Sequence, residues 1–432
     1  MMVRSGILLG LLLGFVPCFA HGQEHITAIT HVNVIDVIHG TAKPDCTVVI
    51  RGNRISDIGP ASAVTPPAAA QMVDGSGKFL IPGLWDMHVH LGNATEATLP
   101  VLVYYGITGV RDMGSPSFET LRQWNVEALS GKRVGPRIVA PGPILGMSPP
   151  YFWTWQVHNP DEARKAVDYL AGIGVDFIKV TQSFYRETYF AVADEASRVG
   201  LPLAGHLPLN DDGNGFKVSG VEASNAGQKC FEHLHGIPLP FQPPEPQLIP
   251  TLLRNGTWVD PTLTPYWTRA QMDELIAAKD DPRLKYLVPS LREEQWDPVL
   301  GQKRNPSFDR QMLQWRMDQV RMLYQNGIPL LAGTDLGSPY VYPGEVDKEM
   351  ELLVDAGLSP LDALRTATIN PARYLDREKV LGSVEYGKYA DLVVLDANPL
   401  DDIHNVEKVN AVVLNGRYLT RDDLEKMLPT FQ

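Results

Sequence analysis

Between Leu84 and Asp335 eight short, apolar runs alternate with segments of helical period, and this alternation restricts the fold more than any other feature of the chain. The runs are 84–90, 108–113, 137–141, 175–181, 202–206, 229–233, 258–261 and 329–335. Helical segments between and after them include 161–173, 187–199, 310–326 and 344–356, several with polar starts or glycine ends. Eight strand–helix units in succession predict an α/β fold, a (β/α)8 TIM barrel, and a stretch of roughly 290 residues is of the usual size for one. The segment 266–306 is too long for a simple loop and is expected to be a helical insertion over the barrel mouth.

The regions on either side have a different texture. From His25 to Val73, and again after Lys379, short β-branched runs are broken by turns, with a hairpin signal at Gly52 and Asn53. Both ends of the chain are therefore expected to build one small β-sandwich domain, from 21–80 and 376–432, around a barrel domain of 81–375. With 44% hydrophobic residues, the chain can fill a core for both.

Residues 1–20 have the shape of a signal peptide: Arg4, an apolar stretch, then Pro17 and small residues. The apolar stretch is shorter than the ~20 residues a spanning helix needs, and no later stretch reaches that length. The expectation is an exported protein, periplasmic or secreted, with no integral membrane segment once the signal is removed. Lipidation at Cys18 is a minor alternative, because Pro17 fits such a cleavage site poorly. Cys46 and Cys230, far apart in sequence, read as buried thiols rather than a disulfide. Loss of Arg4 takes the formal net charge from −12 to −13, and no basic run occurs, which disfavours a nucleic-acid partner.

Chemistry gathers at the strand ends. IPGLWDMHVH closes the first strand with His88 and His90, whose i, i+2 spacing turns both imidazoles to one face. GVDFIKV places Lys179 among apolar neighbours, where burial favours the free amine and hence covalent chemistry such as a carbamate formed with CO2. LPLAGH ends in His206, CFEHLHG in His233, and LLAGTD in Asp335. Of the two histidines in CFEHLHG, His233 is preferred because Glu232 and His233 close the apolar strand, which leaves His235 in a supporting or loop role. One such histidine usually means a hydrogen-bonded core residue. Four histidines, a lysine and an aspartate at one rim are not explained by packing.

The order His-x-His, Lys, His, His, Asp on strands one, four, five, six and eight resembles the amidohydrolase superfamily, in its two-metal, carboxylated-lysine branch. IPGLWDMHVH, AGTD, ATINPARYL and GSVEYGKYADLVVLDANP match its recurrent segments. The texture is similar to prolidase-like and imidazolonepropionase-like members. The resemblance implies that His88, His90 and Asp335 hold one divalent metal and His206 and His233 a second, with carboxylated Lys179 and a hydroxide bridging them. Zinc is favoured, although such a set also suits Mn, Co or Fe. Asp335 is the implied catalytic residue, moving a proton from the attacking hydroxide to the leaving nitrogen.

The implied substrate is a small-molecule amide, dipeptide-like (Xaa-Pro) or an N-acyl amino acid. The alternatives are a cyclic amide or lactone hydrolase with the same site and, further off, a non-catalytic metal- or solute-binding protein. Leu209 stands where deaminating members commonly carry a glutamate, which disfavours deamination. Leu207 stands where some dipeptidases have a tyrosine. Tyr185 is one candidate to replace that tyrosine, and a plain loop aromatic is the equal alternative. Trp153, with Tyr151, Phe152 and Trp155, and Tyr266, with Trp267 and Arg269, form two aromatic groups. They suit an apolar acyl group beside a carboxylate, or equally the packing of the insertion. Homo-oligomerisation is left open.

Overall fold

The structure, a computed structural model, describes residues 25–147, 153–210, 215–238, 245–277, 282–296, 298, 305–339 and 341–429. The expected signal peptide with Cys18, the aromatics Tyr151 and Phe152, and parts of the insertion lie outside them.

Five strands open the chain: β1 (Ile26–Asp36), β2 (Thr41–Arg51), β3 (Arg54–Pro60), β4 (Gln71–Asp74) and β5 (Phe79–Pro82). β1, β2 and β3 form an antiparallel meander. Its second turn falls at Gly52, whose φ of 56° suits glycine. β4 and β5 return parallel to β1, so the sheet is mixed.

The middle of the chain supplies β6 (Leu84–Val89), β7 (Ile107–Asp112) and β8 (Arg137–Val139), all parallel. There follow β9 (Ile144–Gly146), β10 (Thr154–Gln156), β11 (Ile178–Val180), β12 (Leu203–Gly205), β13 (Gln228–Glu232) and β14 (Trp258–Asp260), parallel in the order β10-β9-β11-β12-β13-β14. The two arcs meet on one side where Asp176 N donates to Ala140 O at 3.0 Å. On the other side the eighth run lies between β14 and β6. Leu331 N donates to Val259 O (3.0 Å), Met87 N to Ala332 O (2.9 Å) and Asp335 N to His88 O (2.8 Å). This closes the (β/α)8 barrel.

Helices Pro160–Ile173, Arg186–Val199, Pro306–Gln325 and Val346–Asp355 pack outside the barrel, starting and ending within a few residues of the sequence-based expectation. Capping explains the starts. The Asn159 side chain accepts from Glu162 N, and the Asn305 side chain accepts from Phe308 N. β9 and β10 were not foreseen; the apolar pair Ile144 and Leu145 continues past β8 and adds a buried ribbon beside β11.

The chain then returns as β15 (Leu392–Leu395), β16 (Val409–Leu414) and β17 (Arg417–Thr420). β15 pairs with β5, which gives the order β17-β16-β15-β5-β1-β2-β3 with both chain ends in one sheet. The sheet curls around its own core, where Ile29, Val48, Ile50, Leu80, Leu392 and Val413 pack together. Burial of each such side chain contributes about 1.5–3 kcal/mol. Asp391 ties this sheet to the barrel: Gly83 N donates to its carbonyl (2.7 Å) and Arg137 Nε to its carboxylate (2.6 Å).

The insertion is helical where described, with Thr264–Ala270 and Met272–Ala277 followed by short turns, and has its own core of Met272, Leu287, Val288, Leu291, Trp296 and Tyr342. The ATINPARYL segment braces the closing run: Ala332 N donates to Thr366 O and Asn370 Nδ2 to Leu330 O, at 3.1 and 2.9 Å. No helix among the described residues is long and apolar enough to cross a membrane.

Candidate metal centre

The six residues singled out at the strand ends converge. His88 lies in β6 and His90 just beyond it, Lys179 lies in β11, and His206 and His233 directly follow β12 and β13. The rings of His88 and His233 are 4.5 Å apart, those of His206 and His233 4.9 Å, and those of His88 and His90 5.4 Å. Asp335 Oδ1 stands 3.5 Å from His88 Nε2 and 3.4 Å from His90 Nε2.

Two glycines make the approach possible. Gly205 has φ of 132°, and a Cβ there would lie 2.3 Å from Val180 O and 3.1 Å from Cδ of Lys179. A Cβ on Gly333 would stand 2.6 Å from the Cβ of His88. His233, Thr262 and Asp335 adopt positive φ (56°, 46° and 59°) where each strand breaks into its loop. Such backbone costs of order 1–3 kcal/mol per residue and persists where the surroundings over-determine it.

The outer partners fix the tautomers. His88 Nδ1 lies 2.8 Å from Glu232 Oε2, and charge from Arg111 and bonding to His88 overcome burial to hold the Glu232 pKa at about 2. The carboxylate can only accept, so His88 donates through Nδ1 and its Nε2 keeps a lone pair. His90 Nδ1 faces the Gly114 carbonyl at 3.2 Å and must likewise donate. The Thr262 hydroxyl is committed to Pro261 O (2.8 Å), so it accepts from His233 Nδ1 at 2.6 Å. In each case Nε2 is left as the basic nitrogen that a metal takes.

Three buried polar atoms in the cluster have no partner: His88 Nε2, His206 Nδ1 and Lys179 Nζ. An orphaned buried donor or acceptor costs about 1–3 kcal/mol, and three in one cluster mark a site for something else. Burial, with the Lys179 charge, lowers the His88 pKa to about 4 and takes His206 well below its ordinary value. Burial and the neighbouring His88 ring do the same to His233. These rings are neutral, as ligands must be. Burial, partly offset by Glu232, brings Lys179 down to about 8. Burial raises the Asp335 carboxyl, but bonding to His90 and the facing imidazoles of His88 and His90 outweigh it and leave the pKa at about 2. Burial lowers the His90 pKa, but its bond to Asp335 and the charge of that carboxylate outweigh this and raise it, so a cation at this site would displace a proton from between the two. His88, His90 and Asp335 offer ligand atoms within 4.8 Å of one another, a set that fits a divalent cation. His88, Glu232 and Asp260 are equally close, but Arg111 Nη2 already donates to Glu232 (2.9 Å) and Asp260 (3.2 Å), so that group is held by a guanidinium.

The aromatic candidates divide. Trp153 stands at the rim, its Cη2 3.1 Å from where a Gly92 Cβ would be, two residues past His90. Tyr266 is partly buried, with the Arg316 guanidinium 3.4 Å over its ring. Arg269 is exposed and lies 5.5 Å from that ring. Tyr185 is 47% exposed at the start of the helix Arg186–Val199, near Lys217.

The amidohydrolase family model matches residues 79–419, the barrel with the strands on either side of it. The chain belongs to the amidohydrolase family. The family is one of hydrolases acting on C–N bonds, with a divalent metal centre as its general feature. This amidohydrolase is 23% identical to adenine deaminase 3 of Rhizobium meliloti over 85% of its own length and 54% of the relative's. The chain thus spans about half the length of the adenine deaminases it matches. It is 22% identical to the ochratoxinase of Aspergillus niger, over 77% of this chain and 73% of that one. Among solved structures, a prolidase candidate from Bifidobacterium longum superposes with a TM-score of 0.73 at 26% identity, covering 94% of this chain and 98% of the other.

Sequence reasoning passed over Arg111, Thr262 and Arg316 and treated Glu232 only as a strand marker. A signal existed for two of them. Arg111 is a charge inside an apolar strand, and Arg316 shares the buried stripe of its helix with Val320 and Leu323.

Proposed function

We propose that this amidohydrolase is an exported two-metal enzyme that cleaves the amide C–N bond of a dipeptide-like (Xaa-Pro) or N-acyl amino acid substrate. The observation that carries the reading is that His88, His90 and Asp335 offer ligand atoms within 4.8 Å of one another, beside the His233 and His206 rings, while His88 Nε2, His206 Nδ1 and Lys179 Nζ are buried without a hydrogen-bond partner among the described residues. In this reading His88, His90 and Asp335 hold one divalent metal, zinc first among the choices. His206 and His233 would hold the other, and Lys179, once carboxylated by CO2 with release of a proton, would supply an anionic oxygen ligand between the two. Bound there, the metals would supply an activated water and polarise the substrate carbonyl.

The chain's own groups do the rest. Asp335 Oδ1 faces His88 and His90, while Oδ2 accepts from Ser338 Oγ at 2.7 Å, so the carboxylate is held in one orientation from which it would take a proton and return it to the leaving nitrogen. Trp153, beside Gly92, and Tyr266, beneath Arg316, suit an apolar acyl group. Leu209 in place of a glutamate argues against deamination. Export rests on the pattern of residues 1–20, and N-terminal sequencing of the native protein checks it: a start near residue 21 to 25 is expected.

The test is metal analysis joined to a panel of Xaa-Pro dipeptides, N-acyl amino acids, hydantoin and lactone rings, and adenine. Two metals per chain with hydrolysis of the linear amides is the expected result. Turnover of rings alone points to the cyclic alternative. A single metal with unmodified Lys179 overturns the two-metal assignment.

A further inference from the structure

Among the described residues Arg316 is a buried cation without an anionic partner. Its residue is 8% exposed, on the inward stripe of the helix Pro306–Gln325. Nη1 donates to the His233 carbonyl at 2.8 Å, and the guanidinium carbon stands 3.4 Å over the centre of the Tyr266 ring. Nε is buried and finds no acceptor. Burial lowers its pKa, and the ionisable side chains that bear on it are the Tyr266 phenol and Arg269, of like sign, with no carboxylate among them. The other deeply buried arginine, Arg111, is treated differently by the fold: Glu232 and Asp260 both pair with it. An uncompensated buried charge is costly, and a leucine or methionine would serve packing better.

The place of this cation is telling. It is bonded to the backbone of His233, whose ring belongs to the metal-ligand cluster. The next histidine, His235, lies 4.8 Å from the His206 ring and has its own buried, unpartnered Nδ1. Tyr266 beneath the guanidinium keeps the planar fork in one orientation, ready for bidentate bonding. In an N-acyl amino acid the carboxylate carbon is only two bonds from the scissile nitrogen. A carboxylate on Arg316 therefore leaves that nitrogen close to the histidine cluster.

We propose that Arg316 is the seat of a substrate carboxylate, the α-carboxylate of the leaving amino acid, held while the scissile amide lies over the His88, His233 and Asp335 cluster. The proposal rests on the amide-hydrolase reading above and assigns the residue that recognises the α-carboxylate shared by those substrates. Arg269, exposed on the far side of Tyr266, is left to attract anions rather than to fix them.

The experiment compares N-acetyl-L-phenylalanine with N-acetyl-2-phenylethylamine, which lacks only the carboxylate, on the metal-loaded protein. Initial rates are read where turnover occurs, and calorimetric binding in every case. Wild type should prefer the acid by about 10- to 100-fold, the worth of charge-assisted bonding. In Arg316→Gln that ratio should approach one, and Arg316→Lys, which keeps the charge and much of the packing, should retain part of it. The loss should appear mainly in KM. Equal handling of the two compounds by wild type overturns the proposal, as does a preference that survives in Arg316→Gln or is unaltered in Arg316→Lys. Absence of amide hydrolysis across the whole panel would count against the proposed function instead, and the binding ratio would still decide the role of Arg316.

Discussion

Glu232 holds His88 in place: its Oε2 lies 2.8 Å from His88 Nδ1, and the next residue in the chain, His233, turns its ring to within 4.5 Å of His88. One strand end thus supplies both a candidate ligand and the carboxylate that orients another ligand across the barrel. The acidity of the two is linked, since Glu232 stays ionised because Arg111 and His88 face it.

The hydroxyl of Thr262 does for His233 what Glu232 does for His88, without the charge. Thr262→Val removes it with little change of shape. Metal affinity should fall by about 10- to 100-fold, the usual effect of losing an outer partner. Competition with a chromophoric chelator measures this, and an unchanged affinity would show that His233 needs no support.

Asp335→Asn keeps the size of the side chain but removes the base and weakens the ligand. Loss of an acid–base group typically costs 10²–10⁴-fold, so hydrolysis should drop at least ~100-fold while the fold persists. Rates and circular dichroism together check this. Near-full turnover with metals bound would remove Asp335 from proton transfer.

Lys179→Ala should fail for a different reason. Without the proposed bridge, two cations face each other without their shared anion, and metal content itself should fall. A short carboxylic acid added to the variant should restore part of both metal content and activity. Metal analysis with and without propionate separates this from the Asp335 effect.

The same lysine sets a pH dependence of the metal-free fold in CO2-free buffer. Burial lowers its folded pKa from 10.5 to about 8, so the folded state releases this proton first. The penalty for the buried charge is complete below pH 8 and is relieved as pH rises toward 10.5, where the unfolded chain still binds the proton. Relative to Lys179→Met, wild type should gain stability across that window, on the order of 3 kcal/mol. Urea unfolding of both proteins at pH 7, 8.5 and 10 reads it. A constant difference would mean that Lys179 does not titrate there.

The barrel and the clustering of the candidate ligands were legible because both follow from short-range patterns. Apolar runs of strand length end at His88, Lys179, His206, His233 and Asp335, and a βα barrel brings strand ends to one rim. The partners that make these residues into ligands were not legible. Thr262 meets His233, and Arg111 meets Glu232 and Asp260, only through the curvature of the closed barrel, and no local spacing encodes those meetings. Arg269 drew notice by its nearness in sequence to Tyr266, yet the cation on that ring is Arg316, from another helix. β9 and β10 escaped because three-residue strands leave no period to read.

The hydrogen bond from Asp335 N to His88 O joins the first barrel strand to the last. The pocket for a cation therefore does not exist in a chain that has made only its early strands, since its carboxylate arrives with the final one. Loading would follow closure, and a bound ion would act as a latch, adding its binding free energy to the seam between the first and last barrel strands. Cells that leave this protein short of metal should find it nicked by proteases along that seam.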